Sequence, residues 1–166
     1  MEHITPFELN ENLFSLLDRA WMLITARDPK TGKINTMTAS WGGFGILWNK
    51  PVAFVFIRPQ RYTYEFTEKA EGLTLSFFSE EYRDALKLCG RVSGRDCDKI
   101  TEAGLTPMLI GERAAFEEAR MVMSCRKLYA DDIKECAFVD PALLSNYSAK
   151  DYHKMYIVEI EGIIKK

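Results

Sequence analysis

Arg58-Pro59-Gln60-Arg61-Tyr62-Thr63 is the stretch of this chain best suited to chemistry. It follows the apolar run Val52-Ala53-Phe54-Val55-Phe56-Ile57 and precedes a segment with helical signals. Two guanidiniums therefore flank a helix start, and Thr63 adds a hydroxyl. A helix N-terminus carries partial positive charge and unpaired N–H donors. Arginines added there make a seat for a phosphate or carboxylate. The alternative is that Arg58 and Arg61 pair with surface carboxylates and Thr63 only caps the helix.

Asn35-Thr36-Met37-Thr38-Ala39-Ser40-Trp41-Gly42-Gly43 places hydroxyls at alternate positions, Thr36, Thr38 and Ser40. On a strand these share one face. They could bond the polar edge of a ligand while Trp41 lies along a flat ring. A half-exposed strand with a threonine-rich outer face is the simpler account, because Thr suits strands. A third stretch, Cys89-Gly90-Arg91-Val92-Ser93-Gly94-Arg95-Asp96-Cys97-Asp98-Lys99, follows a helical segment. It reads either as a loop closing over an anion or as a solvated connector. Cys97 stands between two aspartates, which disfavours a thiolate.

Other chemistries find no residues to carry them. There is no G-x-x-x-x-G-K-[ST] loop and no G-x-S-x-G elbow. Gly43 and Gly45 lack the third glycine of a dinucleotide fingerprint, because Trp48 stands in its place. The only histidines are His3 and His153, too few for a histidine-rich metal site. The acidic neighbours Glu80/Glu81, Glu117/Glu118 and Asp131/Asp132 point apart on any regular element, so they read as solvated faces. No catalytic side chain and no metal ligand is expected. An anion clamp, a row of hydroxyls and several aromatics imply a bound cofactor that carries the chemistry. Flavin mononucleotide (FMN) is the first candidate and pyridoxal phosphate the second, although no lysine stands out as a Schiff-base former.

The elements that must position these residues are mostly strands. Pro6–Ala20 reads as a helix or turn, Trp21–Ala26 as a buried strand, and Asp28–Lys33 as a turn. Ile34–Ser40 reads as the returning strand of a hairpin. Gly42, Gly43 and Gly45 break regular structure. Val52–Ile57, apolar throughout, reads as a strand covered on both faces, and Leu73–Phe78, which alternates, as a half-buried one. Met155–Glu161 is another strand, and Phe116–Cys125 a further candidate. Helices are expected at Thr63–Ala70, with Thr63 as N-cap, and at Ser79–Cys89, stopped by Gly90. A short one is expected at Lys99–Ala103. Strands outnumber helices, so a barrel or sandwich with peripheral helices fits best.

The chain has 166 residues, 47% apolar and 28% charged, which suits one globular domain spanning 1–166. Its 22 basic and 24 acidic residues give a net charge of −2, so no basic field holds a nucleic acid. No signal peptide or membrane-length apolar run is visible, which suggests the cytoplasm. Cys89, Cys97, Cys125 and Cys136 match no zinc spacing and read as free thiols. The Asn146-Tyr147-Ser148 sequon is then a chance match.

Together these stretches resemble a known family. Asn35 through Gly42, Asn49-Lys50-Pro51, Arg58 through Glu65, Leu73 through Phe78, and Cys89-Gly90 through Ser93-Gly94-Arg95-Asp96 with Lys99 occur in order. They are similar to the flavin reductase-like, FMN-binding family that includes flavoredoxin. The resemblance implies an FMN-binding split β-barrel of Greek-key type, mainly β with peripheral helices. It also implies a homodimer with FMN near the subunit interface. Thr38, Ala39, Ser40 and Trp41 would line the flavin, and Arg58, Arg61, Tyr62 and Thr63 would hold its phosphate. Phe77 and Phe78 would border the ring, and Lys99 would add a contact. Tyr129 and His153 are further candidates across a dimer. The implied activity is hydride transfer from NADH or NADPH to FMN. Alternatives are a flavoredoxin-like electron carrier reduced by a partner protein, a pyridoxamine-phosphate oxidase-type enzyme on a similar barrel, and a cofactor-free homologue.

Overall fold

The computed structural model describes residues 2–166. Among the described residues there are ten strands: β1 Glu2–Ile4, β2 Met22–Arg27, β3 Ile34–Ala39, β4 Gly42–Leu47, β5 Lys50–Ile57, β6 Gly72–Phe77, β7 Pro107–Ile110, β8 Arg113–Phe116, β9 Met121–Asp132 and β10 Lys154–Lys165. The helices are α1 Leu13–Ser15, α2 Tyr62–Lys69, α3 Arg83–Arg91 and α4 Lys99–Glu102. Short 3-10 and π turns join them.

The main sheet runs β3-β2-β6-β9-β10-β5-β4, with β1 added against β10, and β7 pairs only with β8. All of these pairings are antiparallel. The ends of the path, β3 and β4, are joined in sequence by Ser40 and Trp41 yet share no ladder. The fold is therefore a split barrel, mainly β with peripheral helices, and its open seam falls at the hydroxyl-bearing segment.

The interior is filled by residues from alternate strand positions: Met22 and Ile24, Val55 and Ile57, Leu73, Leu75 and Phe77, Met121 and Met123, Tyr156 and Val158. A second apolar layer packs Leu86 and Cys89 of α3 with Leu23, Phe78, Phe116 and Val122 on the outer side. This second layer reverses two expectations. The alternating strand β6 is buried at every position, because the β7–β8 hairpin covers its outer face. Thr74 is tolerated there because its hydroxyl donates to the Ala114 carbonyl at 2.6 Å. The all-apolar strand β5 keeps Phe54 and Phe56 only half-buried, so its outer face is not covered.

Other boundaries differ as well. The glycines at 42, 43 and 45 do not break structure; they lie in β4, paired with β5. A Cβ at Gly42 would come 2.9 Å from the Phe54 carbonyl, so close strand packing requires glycine there. The turn falls instead at Trp48 and Asn49, both with positive φ (52° and 57°), the pattern of a two-residue hairpin. Helix α2 begins at Tyr62 and is capped by Arg61, not by Thr63. Gly90 lies inside α3 and does not stop it. β1, β7 and the full length of β9 and β10 were not legible from local pattern. Among the described residues, no helix is long and apolar enough to cross a membrane.

Candidate functional site

Met37, Thr38, Ala39, Ser40 and Trp41 line one wall of a cleft at the open seam, facing Phe56, Arg58 and His153. Its volume is about 220 Å3. Pockets that enclose a small ligand are typically about 300–1,000 Å3, so this cleft cradles one side of a ligand. Trp41 is half exposed at its lip (50%), and its ring lies 5.4 Å from that of His153. Burial, assisted by the nearby Arg58 charge, pushes the His153 imidazole down to about 4, so the ring is neutral at ordinary pH. Its Nδ1 shares a 2.9 Å hydrogen bond with the Tyr147 hydroxyl, which leaves Nε2 as the free ring nitrogen.

The hydroxyls expected along β3 divide. Thr36 is fully buried, bonded to Thr25 at 2.9 Å and to the Ile24 carbonyl at 3.1 Å, so it serves the core. The Thr38 hydroxyl donates to the Leu86 carbonyl at 2.5 Å and pins α3 against the cleft wall. Of the three, the Ser40 hydroxyl alone has no hydrogen-bond partner among the described residues.

The two arginines of the clamp also part. Arg58 pairs with Asp151 at 2.5 Å, donates to the Asn146 carbonyl at 3.0 Å, and lies 5.2 Å from the centre of the Tyr147 ring. The expected alternative, a pairing with a carboxylate, thus describes Arg58. It does not describe Arg61, whose Nη2 donates to the Gly90 carbonyl at 2.8 Å. Lys99, only 3% exposed, donates to the carbonyls of Cys89 (3.0 Å) and Val92 (3.1 Å). Among the described residues, neither Arg61 nor Lys99 pairs with a carboxylate. Burial lowers both pKa values, that of Lys99 to about 8. The negative end of the α3 dipole supplies part of what a counter-ion would. Arg61 keeps most of its five donors free.

This cationic corner and the cleft are neighbours. Gly90 accepts from Arg61, and a Cβ at Gly90 would come 3.3 Å from Thr38 Cβ. The corner is closed by Arg95, which pairs with Glu65 at 2.5 Å and lies over the Tyr62 ring at 4.7 Å. Thr63 is 1% exposed, and its hydroxyl accepts from Asn35 at 2.8 Å, so it fixes the first turn of α2 from within.

Phe77 and Phe78 do not reach the cleft. Phe77 fills the barrel interior, and Phe78 packs on Phe116 and Tyr82 in the outer layer. Tyr129 stands on β9 beside Trp48, ring centres 6.4 Å apart, and does not line the cleft. Phe56, Tyr147 and Asp151 carry no motif that marks them. Tyr147 and Asp151 belong to the segment between β9 and β10 that only the fold brings to Arg58. Cys97, expected to be a poor thiolate, has its pKa raised by burial and by Glu102. The four cysteines are unpaired.

Comparison with known proteins agrees with this fold. Residues 14–164 match the family described as Flavin reductase like domain. No curated protein sequence matches the chain. The flavoredoxin of Desulfovibrio vulgaris (Miyazaki F) is similar in structure, with a TM-score of 0.68 at 22% identity over 88% of this chain and 69% of that one. The flavoredoxin of Methanosarcina acetivorans gives 0.69 at 18% identity, over 98% and 76%. An FMN-binding domain of a flavin reductase-like enzyme from Shewanella baltica OS155 gives 0.66 at 17% identity, over 91% and 71%.

Proposed function

Because the chain belongs to the flavin reductase-like domain family, we propose that it binds FMN at the open seam and acts as an oxidoreductase, taking a hydride from NADH or NADPH. The observation that carries this reading is a pair of cations, half-buried Arg61 and buried Lys99, held only by carbonyl oxygens. Two desolvated charges without a counter-ion are costly, and a dianionic phosphate offsets that cost. The donor set therefore fits a phosphorylated cofactor.

In this reading Arg61 and Lys99 hold the phosphate beside the first turn of α2. Thr38 and Gly90 set the spacing between that corner and the cleft. Ser40 and the unpaired backbone edges of β3 and β4 at the seam supply hydrogen bonds to the polar rim of the ring. Trp41 and Phe56 shield it from water, and neutral His153 offers Nε2 without adding charge. When bound, FMN would accept the hydride equivalent and pass its electrons onward. The small cleft suits a ring covered on its other side by a second copy of the chain, as a homodimer would provide.

The test is the absorbance spectrum of purified protein titrated with FMN, before and after NADH or NADPH. Tight binding with bleaching by a nicotinamide supports the reductase. Tight binding without bleaching identifies a carrier that needs a partner reductant. Failure to bind FMN refutes the reading.

A further inference from the structure

A larger recess lies on the same outer face of the sheet, between the end of β9 and the start of β10. It measures about 630 Å3, and Ile133, Phe138, Val139, Leu143 and Met155 contribute to its lining. That volume falls within the range of small-molecule sites. Val139 is 99% exposed and Leu143 49%, so the recess opens to solvent on an apolar rim. The same lining holds three carboxylates, Asp131, Asp132 and Asp140, against one cation, Lys134. Lys134 pairs with Asp131 at 3.0 Å, and Asp140 accepts from the Ala142 N–H at 3.0 Å. Asp132 has no ion-pair partner among the described residues. The recess is thus apolar and net negative.

It also adjoins the cleft. Met155 in the recess stands directly opposite Phe56 of the cleft in the β5–β10 ladder. Cross-strand partners share a face, with Cβ atoms about 5 Å apart. The remaining partition is aromatic. Phe138 packs on Tyr147 at 5.8 Å between ring centres, and Tyr147 bonds His153.

We propose that this recess binds a small apolar organic cation, its body against Phe138, Leu143 and Met155 and its charge toward Asp131, Asp132 and Asp140. Charge complementarity decides the occupant: the carboxylates repel a polyanionic dinucleotide, while an apolar cation satisfies both the walls and the field. The assignment does not depend on FMN.

Tetraphenylphosphonium and tetraphenylborate, nearly equal in size and opposite in charge, separate shape from charge. Equilibrium dialysis of each against the full chain should show one site for the cation and at least tenfold weaker binding of the anion. Val139→Arg should weaken cation binding about fivefold and Val139→Asp should strengthen it about as much. Position 139 is solvent-exposed, so both variants should fold. Asp84→Asn removes an equal charge from a side chain 94% exposed on α3 and should change nothing. Equal binding of the two ions, or a parallel shift in both Val139 variants, overturns the proposal. So does sedimentation showing that Val139→Arg breaks an oligomer, since a second copy would then cover the recess. Cation binding by a protein that ignores FMN would sink the flavin reading and leave this one standing.

Discussion

Arg58 and Arg61 come from one hexapeptide and end in opposite environments. Arg61 turns to the corner between α2 and α3, where its hydrogen bond goes to a carbonyl and its charge repels that of another cation, Lys99. Arg58 turns outward and ties down the segment between β9 and β10 through Asp151, Asn146 and Tyr147. Gln60 adds a second bond to the same Asp151 oxygen at 2.5 Å. One corner is electrostatically incomplete and the other is closed. Arg58 spends its charge on holding structure, whereas Arg61 and Lys99 meet only carbonyl oxygens.

The sharpest way to break this contrast is Arg61→Ala. FMN affinity should fall about 100-fold, the value of a charge-assisted bond in a buried site. Riboflavin, which lacks the phosphate, should lose little. Equal losses in a fluorescence titration would show that Arg61 does not hold the phosphate. Asp151→Asn acts on the closed region. It should lower the melting temperature, because Arg58 loses its counter-ion, and should expose residues 133–153 to protease. Its FMN affinity should stay near the parent's, and a large loss would place Arg58 on the cofactor.

Lys99→Met should weaken FMN about tenfold at neutral pH and remove a pH dependence. In the parent, the Lys99 pKa is lowered from 10.5 to about 8. Affinity for FMN should therefore fall as pH rises through about 8. The sign for stability is opposite. Between about 8 and 10.5 the unfolded chain binds more protons than the folded one, so the flavin-free protein gains stability with rising pH there. The closed region responds at the acid end. His153 goes from 6.5 unfolded to about 4 folded, so its contribution is lost as pH falls from 6.5 toward 4. Asp151, held down by Arg58, adds acid lability in the same direction. The smallest effect is expected of Tyr147→Phe, about 1 kcal/mol for one hydrogen bond. It should show as a thermal shift and a changed His153 titration by NMR.

Local pattern was enough to identify the mainly β architecture, the first hairpin, α2 and the two guanidiniums at its start. Alternation, turn chemistry and the charge of an arginine travel with the residues themselves. Local pattern misjudged β5 and β6, because burial depends on what lies across a sheet face. An apolar strand at the seam stays half open, and an alternating strand beneath the β7–β8 hairpin is closed. The same reason separates the clamp residues. The sequence by itself determined that two guanidiniums would stand near a helix start, with Lys99 in a separate basic stretch. Only the tertiary structure decided which of them would meet a carboxylate. Asp151 lies 93 residues from Arg58, and no spacing rule reaches that far. The closing of a sheet brought them together, and the same closing left Arg61 and Lys99 without such a partner.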